Sequence, residues 1–344
     1  MDSRTRVIMA LKGGTPDRVP VAEWSIHARV VEALGCADLF DLVDRCGFDG
    51  ISVTPDEKRS WIDHDTFVDE WGVTRRQMEE DDTVPTAAPL ETVAHLLHYV
   101  PPDPRSEHHF RTLARTVKRF GGKKAIFFQC RDVFSIPRYL RGTTQIFEDM
   151  LLEPGLVADL VELSLAYNIP QAREALRRGA DVILLSDDYA YNAGPIFSPA
   201  LFERRFRDGL GKMVAAVHEA GGLVVKHSDG NVMPLLDAIV STGIDALDPL
   251  DPLGGMSVAR VRERYPRLPL KGGVPLSELS CGSAAEVTRA ALRCLVESDG
   301  RGYILSSSNS ITSSVKAGNF LAMLETVRVF EAQRSTGPVD NTIR

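Results

Sequence analysis

The sequence of 344 residues lacks the features that mark several large classes of protein. Its longest apolar runs, such as 182–185, are far shorter than the roughly 20 residues that a membrane-spanning helix needs. The first residues show no apolar core followed by small residues, so we expect no signal peptide. The 40 basic and 47 acidic residues leave a formal charge of −7 and no basic stripe. We therefore expect neither a membrane nor a nucleic-acid partner, and a small molecule as the ligand.

Cysteine is also scarce and shows no metal-binding or disulfide pattern. The five cysteines are scattered, odd in number and never in CxxC spacing, unlike a zinc ribbon or a disulfide framework. Free thiols of this kind are typical of the reducing cytosol, so we expect a cytoplasmic protein. The composition, 44% hydrophobic and 25% charged, is ordinary for a globular chain and excludes a disordered one.

Short apolar runs alternate with longer segments of helical periodicity along most of the chain. This alternation predicts an α/β fold, and eight strand candidates give the number that a (β/α)8 barrel requires. The predicted strands are 20–23, 50–53, 125–129, 182–186, 222–226, 245–247, 268–271 and 302–305. We predict one barrel domain over residues 1–332 and a flexible tail over residues 333–344.

Two further features of the chain bear on this architecture. The gap between the second and third predicted strands is longer than one helix needs, so residues 61–105 are predicted to form an inserted hairpin and helix over one mouth of the barrel. Helices are predicted over 156–177 and 199–220, and Ser198 is the expected N-cap of the second.

Parallel barrels carry their chemistry at the carboxyl ends of the strands, which makes the residues there candidates. His227 and Asp229 follow one predicted strand, and Asp187 and Asp188 follow another. Side chains alternate along a strand, so only one of the two adjacent aspartates can face the cavity. His227 is a candidate metal ligand or proton donor, and with Asp229 and one aspartate it would form a nitrogen and oxygen ligand set. The structural alternatives are a strand-capping histidine and an Asx turn.

Other polar residues follow the remaining strands. Arg131 follows the third predicted strand, and Tyr139 is predicted on a short helix near the mouth, where it either donates a hydrogen bond to substrate or packs. Tyr189 follows the paired aspartates. Ser308 and Asn309 follow the last strand, a region where barrels often bind phosphate through backbone N–H groups.

The order of these motifs resembles the uroporphyrinogen decarboxylase superfamily, which also contains the methylcobamide:thiol methyltransferases. The stretch 185–199 is similar to the family's FDSWAG…LSP pattern, and 303–311 is similar to its final strand and loop. Tyr139 corresponds to the active-site tyrosine of the family, and Asp56 to its decarboxylase aspartate. The resemblance extends over about residues 16–327 and implies a (β/α)8 barrel and a homodimer.

The departures from the family pattern are informative. The arginine-rich segment that grips propionates in the decarboxylases corresponds here to EWSIHAR at 23–29, so uroporphyrinogen III is not the expected substrate. The H-x-C zinc motif of the methyltransferases reads His227-Ser228-Asp229 here, and the later cysteine position holds Asn309. No thiolate zinc site is therefore expected. A zinc or harder ion on His227 and Asp229, and a metal-free site, both remain open.

These observations favour a carboxy-lyase that decarboxylates a small carboxylated substrate and needs no cofactor. The predicted catalytic residues are Asp56, Tyr139, Asp187, Asp188 and His227. The predicted substrate-binding residues are Arg131, Tyr189, Asp229, Ser308 and Asn309. The alternative is methyl transfer to or from a corrinoid carried by a separate protein. A second alternative is a non-catalytic ligand-binding barrel.

Overall fold

The computed structural model describes residues 1–78 and 83–336. Its strands are β1 (Gly50–Val53), β2 (Arg59–Trp61), β3 (Thr66–Asp69), β4 (Thr74–Gln77), β5 (Thr83–Ala87), β6 (Ala125–Cys130), β7 (Val182–Leu185), β8 (Ala190–Tyr191), β9 (Gly194–Pro195), β10 (Leu223–His227), β11 (Ala246–Leu250), β12 (Leu270–Gly272) and β13 (Tyr303–Ile304). Its α-helices are α1 (Ser3–Leu11), α2 (Ala28–Ala33), α3 (Leu39–Arg45), α4 (Val93–Leu96), α5 (Arg111–Phe120), α6 (Ser135–Arg141), α7 (Thr143–Leu152), α8 (Pro154–Arg177), α9 (Pro199–Arg205), α10 (Arg207–Glu219), α11 (Leu236–Val240), α12 (Val258–Arg264), α13 (Leu276–Cys281), α14 (Ala284–Ser298) and α15 (Ala317–Thr336). Short 3-10 helices cover Glu107–Phe110, Met233–Leu235 and Pro252–Gly254.

A curled parallel sheet of seven strands forms the centre of the molecule, in the order β1-β6-β7-β10-β11-β12-β13. Its strands are apolar along their length, as strands covered on both faces must be; all six side chains of β6 are buried. The inner face encloses a core that includes Phe127, Leu184 and Val225, against which helix α1 places Val7 and Leu11. The outer face packs against the surrounding helices. Alternate residues of one strand therefore face two different environments.

Seven of the eight predicted strands are observed, with ends that differ by at most three residues. The predicted strand 20–23 is not formed; Val21 makes only a single-residue bridge to Leu305. Its backbone nevertheless contacts both edges of the sheet. Leu305 N donates to Pro20 O at 2.9 Å, and Asp49 N donates to Val21 O at 2.9 Å. Pro20 has no N–H to donate, which interrupts a regular ladder at this point.

The two predicted helices are present, with one difference. Helix α8 covers the first, and the second is divided at Phe206, whose φ of −123° departs from helical geometry. Phe206 is fully buried, so the apolar periodicity continues through a break in the backbone. Ser198 is the N-cap of α9, as predicted, because its side chain accepts a hydrogen bond from Leu201 N at 3.2 Å.

The insertion between β1 and β6 contains a four-stranded antiparallel sheet, β2-β3-β4-β5, and the four-residue helix α4. The sequence predicted a single hairpin and a helix here. Phe67 forms the buried centre of this small sheet. Helix α15 runs to Thr336, so 333–336 of the predicted tail are helical, and residues 337–344 lie outside the described part of the chain. None of the described helices is long and apolar enough to cross a membrane.

Candidate active site

Three side chains from neighbouring strands form a line across the mouth of the curled sheet. His227 ends β10, and its Nδ1 lies 2.9 Å from Asp248 Oδ2 on β11. The other oxygen of Asp248 accepts from Lys271 Nζ on β12 at 2.7 Å. His227 and Asp248 are register partners in adjacent parallel strands, which places their side chains side by side. All three residues are buried.

The imidazole of His227 makes a stacking contact in addition to its hydrogen bond with Asp248. The indole ring of Trp24 stacks on it, with ring centroids 3.8 Å apart. Asp248 occupies Nδ1, so Nε2 is the ring atom that remains available for chemistry. A histidine whose Nδ1–H donates to a carboxylate presents a lone pair at Nε2.

Two carboxylates face this Nε2 atom. Asp229 Oδ1 lies 3.5 Å from it, and Asp188 Oδ1 lies 3.7 Å from it. The two acids are tied together because Asp229 N donates to Asp188 Oδ1 at 3.0 Å. Asn309 Nδ2 donates to Asp229 Oδ2 at 2.6 Å. Asp229 Oδ1 is buried and has no hydrogen-bond partner among the described residues.

The arrangement suits a cation. Ligand atoms of Asp188, His227 and Asp229 all lie within 4.8 Å of one another. With Nδ1–H given to Asp248, the lone pairs of three acceptors converge on one point, which is unfavourable unless a proton or a metal ion lies between them. One imidazole and two carboxylates, with a carboxylate behind the imidazole, fit a divalent ion.

The charges of the site shift its pKa values accordingly. Burial alone would lower the pKa of His227, but the hydrogen bond and charge of Asp248, with Asp229 and Asp188, raise it overall. Burial raises the pKa of Asp229 to about 6. Burial also favours a raised pKa for Asp248, but Lys271 and His227 lower it below its ordinary value. Asp248 therefore remains ionised beside the imidazole.

Of the paired aspartates, Asp188 faces the His227 centre and Asp187 does not. Asp187 is fully buried, and its Oδ2 accepts from Phe134 N and Ser135 N at 2.8 Å each, at the start of helix α6. Burial favours a raised pKa for Asp187, but its interaction with the Asp132 side chain, the charges of Lys226 and Arg131, and the Ser135 N–H hold the pKa at about 2. Asp187 therefore binds the start of helix α6 and does not face His227, and its catalytic role stays a prediction.

Tyr189 lies in the same buried layer. It has no exposed surface, and its hydroxyl donates to Asp132 Oδ1 at 2.5 Å. Asp132 Oδ2 accepts from Lys226 Nζ at 2.6 Å. Lys226 is the neighbour of His227 in β10, and neighbouring residues of a strand point to opposite faces. Tyr189 therefore lies in the layer that contains Lys226 and Asp132, and its substrate-binding role stays a prediction.

A cavity of about 600 Å³ lies beside the His227 centre and collects three other predicted residues, Asp56, Arg131 and Tyr139. Gln129 and Ser186 also line it. Gln129 Nε2 donates to Trp24 O at 3.4 Å, which connects the cavity wall to the ring that stacks on His227.

Asp56 is less available than its neighbours in this cavity. Its two oxygens accept from Thr112 N and Thr112 Oγ1 at 2.8 Å each, in the first turn of α5. Ser308 likewise has a local role, because its Oγ accepts from Leu276 N at 3.2 Å at the start of α13. Of the two loop residues predicted after the last strand, Asn309 alone contacts the His227 centre, through Asp229.

The sequence argument missed the two buried lysines, Lys226 and Lys271. A lysine inside an apolar strand that is covered on both faces is itself a signal, because a buried ammonium group requires a carboxylate partner. Glu23 is a further buried acid at this mouth, where its carboxylate accepts from Ser307 Oγ at 2.7 Å.

A curled parallel sheet with polar side chains gathered at the carboxyl ends of its strands defines an α/β protein of the TIM-barrel-like class. The family model described as uroporphyrinogen decarboxylase matches residues 70–330, and the chain therefore belongs to this family.

Solved structures support the same fold. A methyltransferase from Methanosarcina mazei is 18% identical over 96% of this chain and 99% of its own, with a TM-score of 0.79. A B12-independent methionine synthase from Shewanella sp. W3-18-1 is 12% identical over 93% of this chain and 100% of its own, with a TM-score of 0.56. At these identities the likeness is one of fold. No curated protein matches the sequence significantly.

Proposed function

We propose that the protein is a metal-dependent methyltransferase that moves a methyl group between a small methylated substrate and a corrinoid carried by a separate protein. The single observation that carries this proposal is the His227 centre, where Nε2 faces Asp188 and Asp229, and where the buried Asp229 Oδ1 has no hydrogen-bond partner in the described part of the chain. His227 Nε2, Asp229 and Asp188 would hold the ion. When bound, a divalent ion supplies Lewis-acid activation of the heteroatom that carries the methyl group.

The surrounding residues prepare this centre. Asp248 and Lys271 keep the imidazole oriented with Nε2 toward the acids, and Trp24 restricts rotation of the ring. Asn309 orients Asp229 by donating to Oδ2, which leaves Oδ1 directed at His227. Partners of this kind fix the geometry of ligands before an ion arrives.

The identity of the candidate metal ligands also indicates which substrate atom carries the methyl group. Thiolate ligands suit zinc and thiol chemistry, whereas carboxylates suit harder ions. Aspartate at position 229 and asparagine at position 309 therefore favour a methyl group carried on oxygen or nitrogen over one carried on a thiol.

The test combines metal binding with turnover. Co²⁺, Mn²⁺ and Zn²⁺ are titrated into chelator-treated wild type and His227→Ala, and methyl transfer from candidate methoxy and methylamine compounds to free cob(I)alamin is followed by absorbance. We expect one bound ion per wild-type chain, loss of that ion in His227→Ala, and methylcobalamin formation that requires the ion. Wild-type protein that binds none of the three ions would contradict the proposal.

Decarboxylation is the second candidate, favoured by the cations around Tyr139 in the neighbouring cavity. The guanidinium carbons of Arg75 and Arg131 lie 4.4 and 5.7 Å from the centroid of the Tyr139 ring, and Arg131, which has no ion pair with a described residue, could hold a carboxylate there. Against it, both oxygens of Asp56, the aspartate that the family resemblance assigns to decarboxylation, are bound to Thr112. Stoichiometric CO2 release without a methyl acceptor would favour this second function.

We also propose that the curled sheet closes into an eight-stranded barrel, with Pro20–Glu23 as the eighth strand position. The support is that Pro20 and Val21 accept hydrogen bonds from Leu305 on one side and from Asp49 on the other. Closure would explain how Trp24, which follows this segment, reaches the ring of His227. Slow amide hydrogen exchange at Asp49 and Leu305, comparable with that of the central strands, is the expected observation.

A further inference from the structure

The cavity beside the His227 centre contains an arginine whose charge is not neutralised by a direct ion pair. Arg131 follows β6 and is exposed there, and its Nη1 donates to the carbonyl of Ser186 at 2.9 Å. No carboxylate of the described residues lies within 4.0 Å of its nitrogens. The other two arginines of the lining are engaged. Arg75 pairs with Asp69 at 2.6 Å, and Arg59 bonds to Gln77 at 3.0 Å.

A second arginine strengthens the positive potential at this end of the cavity. Arg138 Nη2 donates to the hydroxyl of Tyr139 at 3.2 Å, and its buried Nε has no hydrogen-bond partner within the described chain. The guanidinium carbons of Arg75, Arg138 and Arg131 lie 4.4, 4.9 and 5.7 Å from the ring centroid of Tyr139. Burial raises the pKa of Tyr139, but these three cations lower it overall.

The acids of the lining do not cancel this potential at close range. Asp56 is bound to Thr112, and Glu70 Oε2 lies 2.8 Å from His109 Nε2. Glu57 lies 3.9 Å from Arg59. Burial alone would lower the pKa of Arg131, but the negative charges nearest to it, first Tyr139 when ionised and then Asp187 and Asp188, hold the pKa of its guanidinium above the ordinary value. These acids offset part of the positive charge around Arg131. The charge that remains therefore suits a ligand group with one negative charge better than a phosphate with two.

The other residues that line the cavity indicate what kind of ligand body it would fit. Trp71 and Tyr167 meet edge to face with centroids 4.4 Å apart, and Ile136 and Leu140 are buried beside the cavity. Asn168 also lines it, is 1% exposed, and its Oδ1 has no hydrogen-bond partner among the described residues. An unpaired buried acceptor is costly, so a bound molecule with an N–H or O–H group would satisfy it.

We propose that this cavity binds a small monocarboxylate with an apolar, ring-sized body, and that Arg131 binds the carboxylate. The proposal names the substrate class of the methyltransferase site and in that respect rests on the proposed function. A volume of about 600 Å³ is in the range of small-molecule sites. Gln129 in the wall of the cavity donates to Trp24 O, and Trp24 stacks on His227, so the cavity adjoins the His227 centre.

The experiment compares benzoate with benzamide, which has the same shape and no charge, by titration calorimetry on the full chain. Wild type is expected to bind benzoate at least about tenfold more tightly than benzamide, because a charge-assisted hydrogen bond to arginine contributes that much. Arg131→Gln should weaken benzoate about tenfold and leave benzamide unchanged. Arg131→Lys keeps the positive charge but loses the paired N–H donors of the guanidinium group. Its affinity for benzoate should therefore lie between those of wild type and Arg131→Gln.

Arg59→Gln is the matched control, since it removes a charge from the same lining at a side chain already bonded to Gln77, and it should change benzoate affinity less than about threefold. Equal binding of the two probes, no benzoate binding by wild type, or equal losses in Arg59→Gln and Arg131→Gln would each overturn the proposal. The measurement needs neither a metal nor a methyl acceptor. Benzoate binding that depends on Arg131, in a protein that shows no ion-dependent methyl transfer, would support this proposal while the methyltransferase proposal fails.

Discussion

Trp24 and His227 stack with their ring centroids 3.8 Å apart and their planes inclined by 30°. The two residues are distant in sequence, and they meet because the curled sheet brings the segment after Val21 next to the end of β10. Asp248 binds the same imidazole at Nδ1. The ring therefore has little freedom, and the reactivity of His227 depends on groups that are arranged before any ligand binds.

The first prediction concerns Asp248→Asn. This change removes the charge that faces both His227 and Lys271, so the pKa of His227 should fall in metal-free protein. The free energy of unfolding should fall by roughly 3 kcal/mol because the ammonium group of Lys271, which is 1% exposed, loses its charged partner. Ring nitrogen NMR and urea unfolding measure the two effects. The other histidines serve as internal controls, and an unchanged pKa at His227 would exclude this role for Asp248.

Strand positions were predictable because short apolar runs are bounded by turn residues. The run at Gly50–Val53 is observed with the predicted bounds. The break at Phe206 was not predictable, because apolar periodicity records which face of a helix is buried and not whether the backbone is continuous. Strand 20–23 was predicted but not formed for a related reason. The apolar pattern of this segment does not show that Pro20 lacks the N–H that a regular strand ladder needs.

The candidate site was predictable in part. The rule that parallel strands carry chemistry at their carboxyl ends brought His227 and Asp229 together, and the last loop brought Asn309. Strand alternation showed that only one of Asp187 and Asp188 faces the cavity, but not which one. The stacking of Trp24 and the arginines around Tyr139 depend on side-chain packing between distant segments, and no local pattern encodes such contacts.

The second prediction contrasts two neighbours after β10. Ser228 is 1% exposed, and its Oγ accepts from Tyr189 N at 2.9 Å and donates to the backbone oxygen, not the carboxylate, of Asp229 at 3.2 Å. Ser228→Ala should lower the free energy of unfolding by about 1–2 kcal/mol, because a buried N–H loses its acceptor, and should leave metal binding intact. Asp229→Ala should remove metal binding and most turnover with a smaller effect on unfolding. Denaturation and Co²⁺ titration compare the variants, and loss of the metal in Ser228→Ala would contradict the assignment.

The third prediction concerns the pH dependence of stability through Glu23. Burial raises the pKa of Glu23 from 4.5 to about 7, although Lys271 and Ser307 oppose this. The folded state thus holds this proton more tightly than the unfolded state. The resulting stabilisation is complete below about pH 4.5 and is lost as the pH rises through about 7. A shift of this size corresponds to roughly 3 kcal/mol.

Glu23→Gln should remove this contribution, because a neutral amide can accept from Ser307 Oγ at every pH. Urea unfolding of both proteins at pH 4.5, 6 and 8 measures it. The stability of wild type should decline relative to the variant across that range. Parallel pH profiles for the two proteins would show that folding does not raise the pKa of Glu23.

The last prediction tests whether position 229 determines the choice of metal. Asn309 Nδ2 lies 2.6 Å from Asp229 Oδ2, and Asp229 Oδ1 lies 3.5 Å from His227 Nε2, so cysteines at 229 and 309 would place two thiolates beside the imidazole. One nitrogen and two sulfur ligands with an open fourth position match the preference of catalytic zinc. Asp229→Cys with Asn309→Cys should therefore bind zinc roughly a hundredfold more tightly than wild type. Asp229→Cys alone is the control and should gain much less. A thiolate-to-cobalt charge-transfer band in the Co²⁺ form would report the new ligands directly. Wild-type protein that already retains one zinc per chain as tightly as the double variant would show that the oxygen ligands do not disfavour zinc here.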